Sequence, residues 1–224
     1  MSSITAQAIL DRCNAILQDN NIRWPQDEML NWLNDAQRYI VLLRPDANMK
    51  SGTFTCAAGT RQVLNKTPGG FPTATRLRAV VRNMSSSTKR AIKLVTQSVL
   101  DNEHPDWHSK AAEADIQLYV FDPLLPKEFL VYPPAAATNT IEVVYSAAPT
   151  AVTVGKLSGT LELDDTYIGV LVDLILARAY AKDAEYAANE QRAQTHQALA
   201  DAALGSSSQS ALGSSPVDDS KGTA

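Results

Sequence analysis

The stretch DDTYIGVLVDLILARAYAKDAEYAANEQRAQTHQALADAA, residues 164–203, decides the fold. Asp164 or Asp165 suits a helix N-cap, and Glu162, Asp164 and Asp165 place negative charge where the helix dipole favours it. From Tyr167 to Leu176 the residues are apolar on nearly every side of a helix, the pattern of an element surrounded by protein. From Lys182 to Ala203 the apolar positions are mostly alanine, broken by Lys182, Asp183, Glu185, Glu190 and Arg192. Alanine is the best helix former and buries little surface, so this half is helical by propensity and can lie close against a neighbour. One helix over this stretch would run about 60 Å, further than a domain of this size needs for its own core. The reading is a single long helix over 162–204. Its first half completes a core, its second half projects towards a partner, and the joint lies near Arg178.

Working outward, the core partner stands at the other end of the chain. Ile4, Ala8, Cys13, Ile16 and Leu17 fall near helical spacing, and Asn20-Asn21 is a stop. Pro25 suits a first helical position, and Met29, Leu30, Leu33, Ala36, Ile40 and Leu43 give a second helix an apolar face that ends near Arg44-Pro45. This predicts a helix hairpin over 1–49, with an apolar groove for the Ile168–Leu176 segment to fill.

Between the two helical parts, over 50–161, the period changes from helical to alternating. Thr53–Cys56, Arg61–Leu64, Leu77–Met84, Ala91–Val95, Ile116–Phe121, Glu128–Tyr132 and Thr140–Ser146 read as strands. Pro68-Gly69-Gly70 and Ser85-Ser86-Ser87 supply turns, and Asp122-Pro123 and Pro133-Pro134-Ala135 read as short linkers between consecutive antiparallel strands. A short helix is expected near 96–104, capped by Ser98 with Asp101 three residues on. Residues 205–224 are rich in Ser and Gly and cannot bury enough apolar surface to order alone, so they read as a flexible tail. The fold class is therefore α+β: a helical bundle with an inserted antiparallel β region.

The 224 residues carry a net charge of −4, and its distribution says more than its sum. Between Lys50 and Val95 stand nine basic residues and no acidic one, whereas Glu162 to Asp201 holds eight acidic against three basic. Strand alternation would put Arg76, Arg78 and Arg82 on one face and Leu77, Ala79 and Val81 on the other, which makes a basic stripe. Such a stripe could contact phosphates, although the chain as a whole is acidic and no aromatic residues alternate with these arginines to stack bases. It could equally meet the acidic helix of the next copy in a ring, a heterologous contact. Trp24 and Trp107 each stand in a connection, either capping the core or anchoring a subunit interface.

No catalytic constellation appears. His104 and His108 have the spacing of helical zinc ligands, but Pro105 separates them and no third ligand is in view. Nucleophile elbows, phosphate-cradling glycine loops and zinc-protease motifs are absent. Cys13 and Cys56 read as two buried thiols without metal-ligand spacing. No catalytic, cofactor or metal site is expected, no apolar run is long enough to span a bilayer, and the first residues lack the regions of a signal peptide.

The order of several motifs resembles the head-to-tail adaptor proteins of short-tailed bacteriophages. They are Arg23-Trp24-Pro25, Trp32-Leu33-Asn34-Asp35-Ala36-Gln37-Arg38, Phe121-Asp122-Pro123, Tyr132-Pro133-Pro134, Val143-Val144-Tyr145-Ser146 and the run from Arg178 to Tyr186. The resemblance spans roughly Ile4 to Leu204. It implies a structural virion protein, about twelve copies of which form a ring below the portal protein. It also implies a tail nozzle or tube protein below the ring, genomic DNA passing through the channel without sequence-specific binding, and synthesis in the host bacterial cytoplasm. Arg23, Trp24, Arg178 and Tyr180 match recurrent positions of the family. With Arg76, Arg78, Arg82 and Trp107, with Asp183, Glu185, Glu190 and Arg192 of the helix, and with Leu204 and Gly205 where the tail begins, they are the expected subunit or portal interface. An arginine at 178, in an otherwise apolar stretch, should need a carboxylate partner.

Overall fold

The computed structural model describes residues 4–183, 185–186 and 188–205. The tail expected over 205–224 lies outside the described residues from position 206 onward. The described residues form two compact units, one helical, built from residues within 4–48 and 149–205, and one of strands over Met49–Ala148. The α+β class holds.

In the helical unit α1 spans Ala6–Leu17, and the Thr5 hydroxyl caps it by accepting from the Ala8 N–H at 3.2 Å. α2 spans Gln26–Leu43, with Pro25 just before it, fixed at a φ of −56°. α2 buries the expected face through Met29, Leu30, Leu33, Ala36 and Ile40, whereas the expected face of α1 is corrected: Ala6, Ile9, Leu10 and Cys13 turn inward, Ile4, Ala8 and Leu17 are only partly buried, and Ile16 is exposed. Asp164 caps the final helical region, its carboxylate accepting from the Thr166 N–H at 3.0 Å and opening a 3-10 turn.

The single long helix is corrected. α4 spans Ile168–Lys182 and α5 spans Asn189–Leu204, and α5 folds back to pack along α4. The core of this unit holds Leu171, Leu174, Ile175, Leu176 and Ala179 of α4, together with Ala200 and Leu204 of α5. Backbone propensity favoured one rod, but α4 is apolar on nearly every side and exposes that surface unless a second helix covers it. The half that was expected to project therefore closes the bundle of its own chain. The connection over 149–161 is likewise fastened to it. The Asn34 amide donates to the Val152 carbonyl at 2.9 Å and its oxygen accepts from the Val152 N–H at 2.8 Å, while the Gln7 N–H donates to the Leu157 carbonyl.

The strand unit contains β1 (Met49–Thr55), β2 (Gly59–Val63), β3 (Ala74–Asn83), β4 (Lys93–Leu94), α3 (Gln97–Glu103), β5 (Leu118–Phe121), β6 (Glu128–Ala135) and β7 (Thr140–Ala147). One sheet has the order β1-β7-β3 and the other β2-β6-β5-β4, around a shared core of Phe54, Leu77, Val80, Phe129, Val131, Ile141 and Val143. Every pairing is antiparallel except β4 with β5, which is parallel, so the insert is mixed rather than wholly antiparallel.

Three further expectations change here. Pro133 and Pro134 lie inside β6 and do not form a linker, and β6 and β7 belong to different sheets. Proline can sit there because the neighbouring chain calls only on carbonyls: Tyr132 accepts from the Gln117 N–H and Pro134 from the Glu113 N–H. α3 begins after Thr96 rather than at a Ser98 cap, and Asp101 instead accepts the Trp107 indole N–H at 2.9 Å. In β3 strict alternation fails, because the pairing with β7 shifts register at three places and the buried residues are Ala74, Leu77, Val80 and Asn83. Leu77 is buried while Val81 is exposed, so the expected division of β3 into a basic and an apolar face does not hold.

Candidate functional site

Five of the residues singled out from the sequence meet at the end of the helical unit where α4 turns into α5. The corner starts at Asp19, just past α1, whose carboxylate accepts from the backbone N–H groups of Ile22, Arg23 and Trp24 at 3.2 to 3.3 Å. Burial pushes this carboxyl up, but the backbone donors of Trp24, Arg23, Ile22 and Asn20 outweigh it and hold it below its ordinary value. The loop so fixed aims Arg23 and Trp24 at α4. Trp24 is 6% exposed and donates its indole N–H to the Ala179 carbonyl at 3.3 Å. Arg23 pairs with Asp183, and its guanidinium lies 5.4 Å from the Trp24 ring centroid and 4.9 Å from that of Tyr186.

The same Asp183 receives α5. The Asn189 amide donates to the Asp183 carboxylate at 2.8 Å and to its backbone carbonyl at 3.2 Å. Arg192 lies over Tyr180 at 5.6 Å, Tyr180 stacks on His196 at 5.7 Å, and His196 Nδ1 is 2.8 Å from the Asp173 carboxylate. A polar cavity of about 420 Å³ opens here, lined by Arg23, Trp24, Tyr180, Asp183, Asn189 and Arg192 among others. Chemically this is a clamp. Cations sit over rings and a carboxylate takes donors from two elements, with no nucleophile beside a base.

Beyond the corner, α5 is held by groups that the sequence reading passed over. The Tyr39 hydroxyl donates to Asp201 at 2.8 Å, and Arg44 Nη1 donates to the Leu204 carbonyl at 3.3 Å. Leu204 is buried in the core of its own chain, and Gly205 ends α5 with φ +74°, a value suited to glycine, its N–H bonded to Asp201 and Ala202. Lys182 pairs with Glu28 at 2.5 Å. Arg178 does have its carboxylate, Asp35 at 3.2 Å, yet both side chains are about half exposed, so the pair is a surface one. A second cavity, of about 480 Å³, runs between α4 and α5 over Ala177, Ala181, Ala193 and Ala198, with Arg178 and Asp201 at its edges. Glu185 and Glu190 are exposed.

In the strand unit, Trp107 is fully buried with Leu100, Val120 and Tyr132. Of its two readings this is the core-capping one. The basic residues are less bare than the sequence suggested, because counter-charges come from strands outside the Lys50–Val95 span. Arg61 meets Glu128 at 2.7 Å, and Arg82 meets Glu142 at 2.6 Å. Arg76 and Arg78 stand on β3, each with interactions of its own. Lys89, Arg90 and Lys93, in and just after the loop following β3, are exposed and have no carboxylate partner among the described residues. His104 stacks on Tyr132 and His108 bonds to Thr60 at 3.0 Å, and among the described residues no three His, Cys, Asp or Glu are placed to hold a metal. Burial pushes the Cys13 and Cys56 thiols up to about 12. No described helix is long and apolar enough to cross a membrane.

Asp19, Asp35, Tyr39 and Arg44 are the residues of this architecture that sequence reasoning missed. Asp19-Asn20-Asn21 carries a signal, an Asx-type loop start, that was read only as a helix stop. The others offer no local signal, because their partners lie more than 140 residues away.

Among known proteins, the family model described as SU10 adaptor protein matches residues 4–219. No curated protein matches the chain.

Proposed function

The chain belongs to the SU10 adaptor protein family, whose role is that of a structural phage head-to-tail adaptor, and we propose that it forms a ring of about twelve copies joining the portal to the tail. The observation that carries this reading is the extent of the family match, which takes in both the helical and the strand unit. The ring continues the channel for genomic DNA and meets a nozzle or tube protein on its lower side. It is made in the host cytoplasm, assembles into the virion and catalyses no reaction. The clamp around Asp183 supports a scaffolding role, since its charged groups are spent on holding α5. Co-sedimentation of the purified protein with the portal of its own phage tests the reading. A stable complex is expected, and failure to bind at any salt concentration overturns it.

A second reading, a DNA-contacting module of the packaging and ejection channel, is favoured by one observation. Lys89, Arg90 and Lys93 are exposed and, among the described residues, have no carboxylate partner, whereas Arg61 and Arg82 are paired. It requires salt-dependent DNA binding that falls when those three are neutralised, and no binding at low salt removes it.

A further inference from the structure

We propose that the tip of the β5–β6 hairpin docks, in the ring, into the alanine-lined groove between α4 and α5 of the next copy. This rests on the ring reading and names the contact that closes it.

The tip is Asp122-Pro123-Leu124-Leu125-Pro126-Lys127, between Phe121 at the end of β5 and Glu128 at the start of β6. Its backbone is fixed from several directions. The Asp122 carboxylate accepts from the Leu124 N–H at 2.9 Å, the Asp122 carbonyl from the Leu125 N–H at 3.0 Å and the Leu125 carbonyl from the Glu128 N–H at 3.0 Å. The Pro126 carbonyl accepts from the Leu77 N–H of β3 at 2.8 Å, which braces the tip on the other sheet, and the two prolines remove further freedom. On this rigid turn Leu124 is 87% exposed and Leu125 51%. A single surface leucine means little, but two adjacent ones held outward on a fixed turn form an apolar knob. Such a knob has little conformational entropy left to lose on docking.

The knob calls for an apolar recess. The groove of about 480 Å³ between α4 and α5 is walled by Ala177, Ala181, Ala193 and Ala198. By contrast, the 420 Å³ cavity at the helical corner is polar, as is a third cavity of about 510 Å³ against Asp11, Asn14 and Asn20. Charge matches as well. The groove carries Arg178 on α4 and Asp201 on α5, and the knob carries Asp122 on one arm of the turn and Lys127 on the other, both exposed. Arg178 has only its surface pair with Asp35, and Lys127 has no carboxylate partner among the described residues. A knob seated with Asp122 towards Arg178 and Lys127 towards Asp201 gains two ion pairs, whereas the reversed seating sets like charges together, so the charges select one orientation. Knob and groove are different parts of the chain, so the contact is heterologous. Every copy gives one knob and receives one, and the series closes into a ring when the rotation between copies does.

The test uses the full chain assembled with the portal of its own phage. Two single-cysteine variants, Leu124→Cys and Ala181→Cys, are mixed, while Cys13 and Cys56 are buried and do not compete. A short bismaleimide should give covalent dimers from the assembled mixture and none from either variant alone. Leu124→Asp should weaken ring formation about ten- to a hundredfold, the factor that follows from losing the burial of one large apolar side chain, and should leave the melting temperature of the free subunit unchanged. Ala181→Trp, which fills the groove from an exposed position, should do the same. Portal-bound rings without these dimers, or rings formed by Leu124→Asp as readily as by the parent protein, overturn the docking and leave the ring reading intact. A cross-link from the Leu124→Cys variant to the portal assigns the knob to the portal and likewise overturns it. Failure of the parent protein to assemble on the portal overturns the ring reading and this contact together.

Discussion

Asp19 holds a loop of four residues through backbone N–H groups alone, and that loop aims Arg23 and Trp24. Its carboxyl is lowered on folding, so its contribution is fully present above the ordinary carboxylate value and is lost as pH falls through the depressed one. The melting temperature of the free subunit should fall as pH drops below about 4, and Asp19→Asn, which keeps an acceptor but no charge, should flatten that dependence. An identical acid slope in the variant would show that the loop takes nothing from the charge. The two neighbours should behave differently from each other. Trp24→Ala removes a buried indole and should cost about 3–5 kcal/mol, whereas Arg23→Ala breaks a half-exposed ion pair and should cost about 0–1 kcal/mol, both measured by denaturant unfolding. At this scale the sequence singled out residues one by one and could not show how they group. Arg23, Trp24, Tyr180, Asp183 and Arg192 stand out as interface candidates, and the structure joins them to one another within one chain.

Elements were legible wherever the signal was local. α1 and α2 follow from apolar spacing, and the final helical region begins at the cap read from Asp164. The break between α4 and α5 was not, because no residue in it disfavours helix and the cause lies in Arg23 and in the need to cover α4. The register shifts of β3 were hidden for a similar reason: they belong to its pairing with β7, more than 50 residues on. Pro133 and Pro134 misled because proline usually marks a turn, whereas here it occupies a strand whose neighbour calls only on carbonyls. The connection after the strands is an element in its own right, fastened by the two Asn34 bonds to Val152. Asn34→Ala leaves both Val152 backbone groups without that partner and should cost about 1–3 kcal/mol. Amide exchange at Val152 should quicken in the variant, and an unchanged rate would mean that packing alone fixes the connection.

For the whole molecule, the α+β class and the family were within reach of the sequence, since the motif order runs through both units. The fate of the acidic helix was not. Leu204 was expected near the beginning of an outward-reaching tail, yet it is buried and its carbonyl is held by Arg44. Any reach towards the portal therefore starts after Gly205. Deleting residues 206–224 should weaken attachment to the portal without lowering the melting temperature of the free subunit. Unchanged attachment would reduce those residues to a spacer.

The most direct measurement is electron microscopy of this protein mixed with the portal of its own phage. Particles with a ring of about twelve added copies below the portal, coaxial with its channel, are the predicted result. Portal particles that remain bare, with the protein still monomeric in the supernatant, would contradict it.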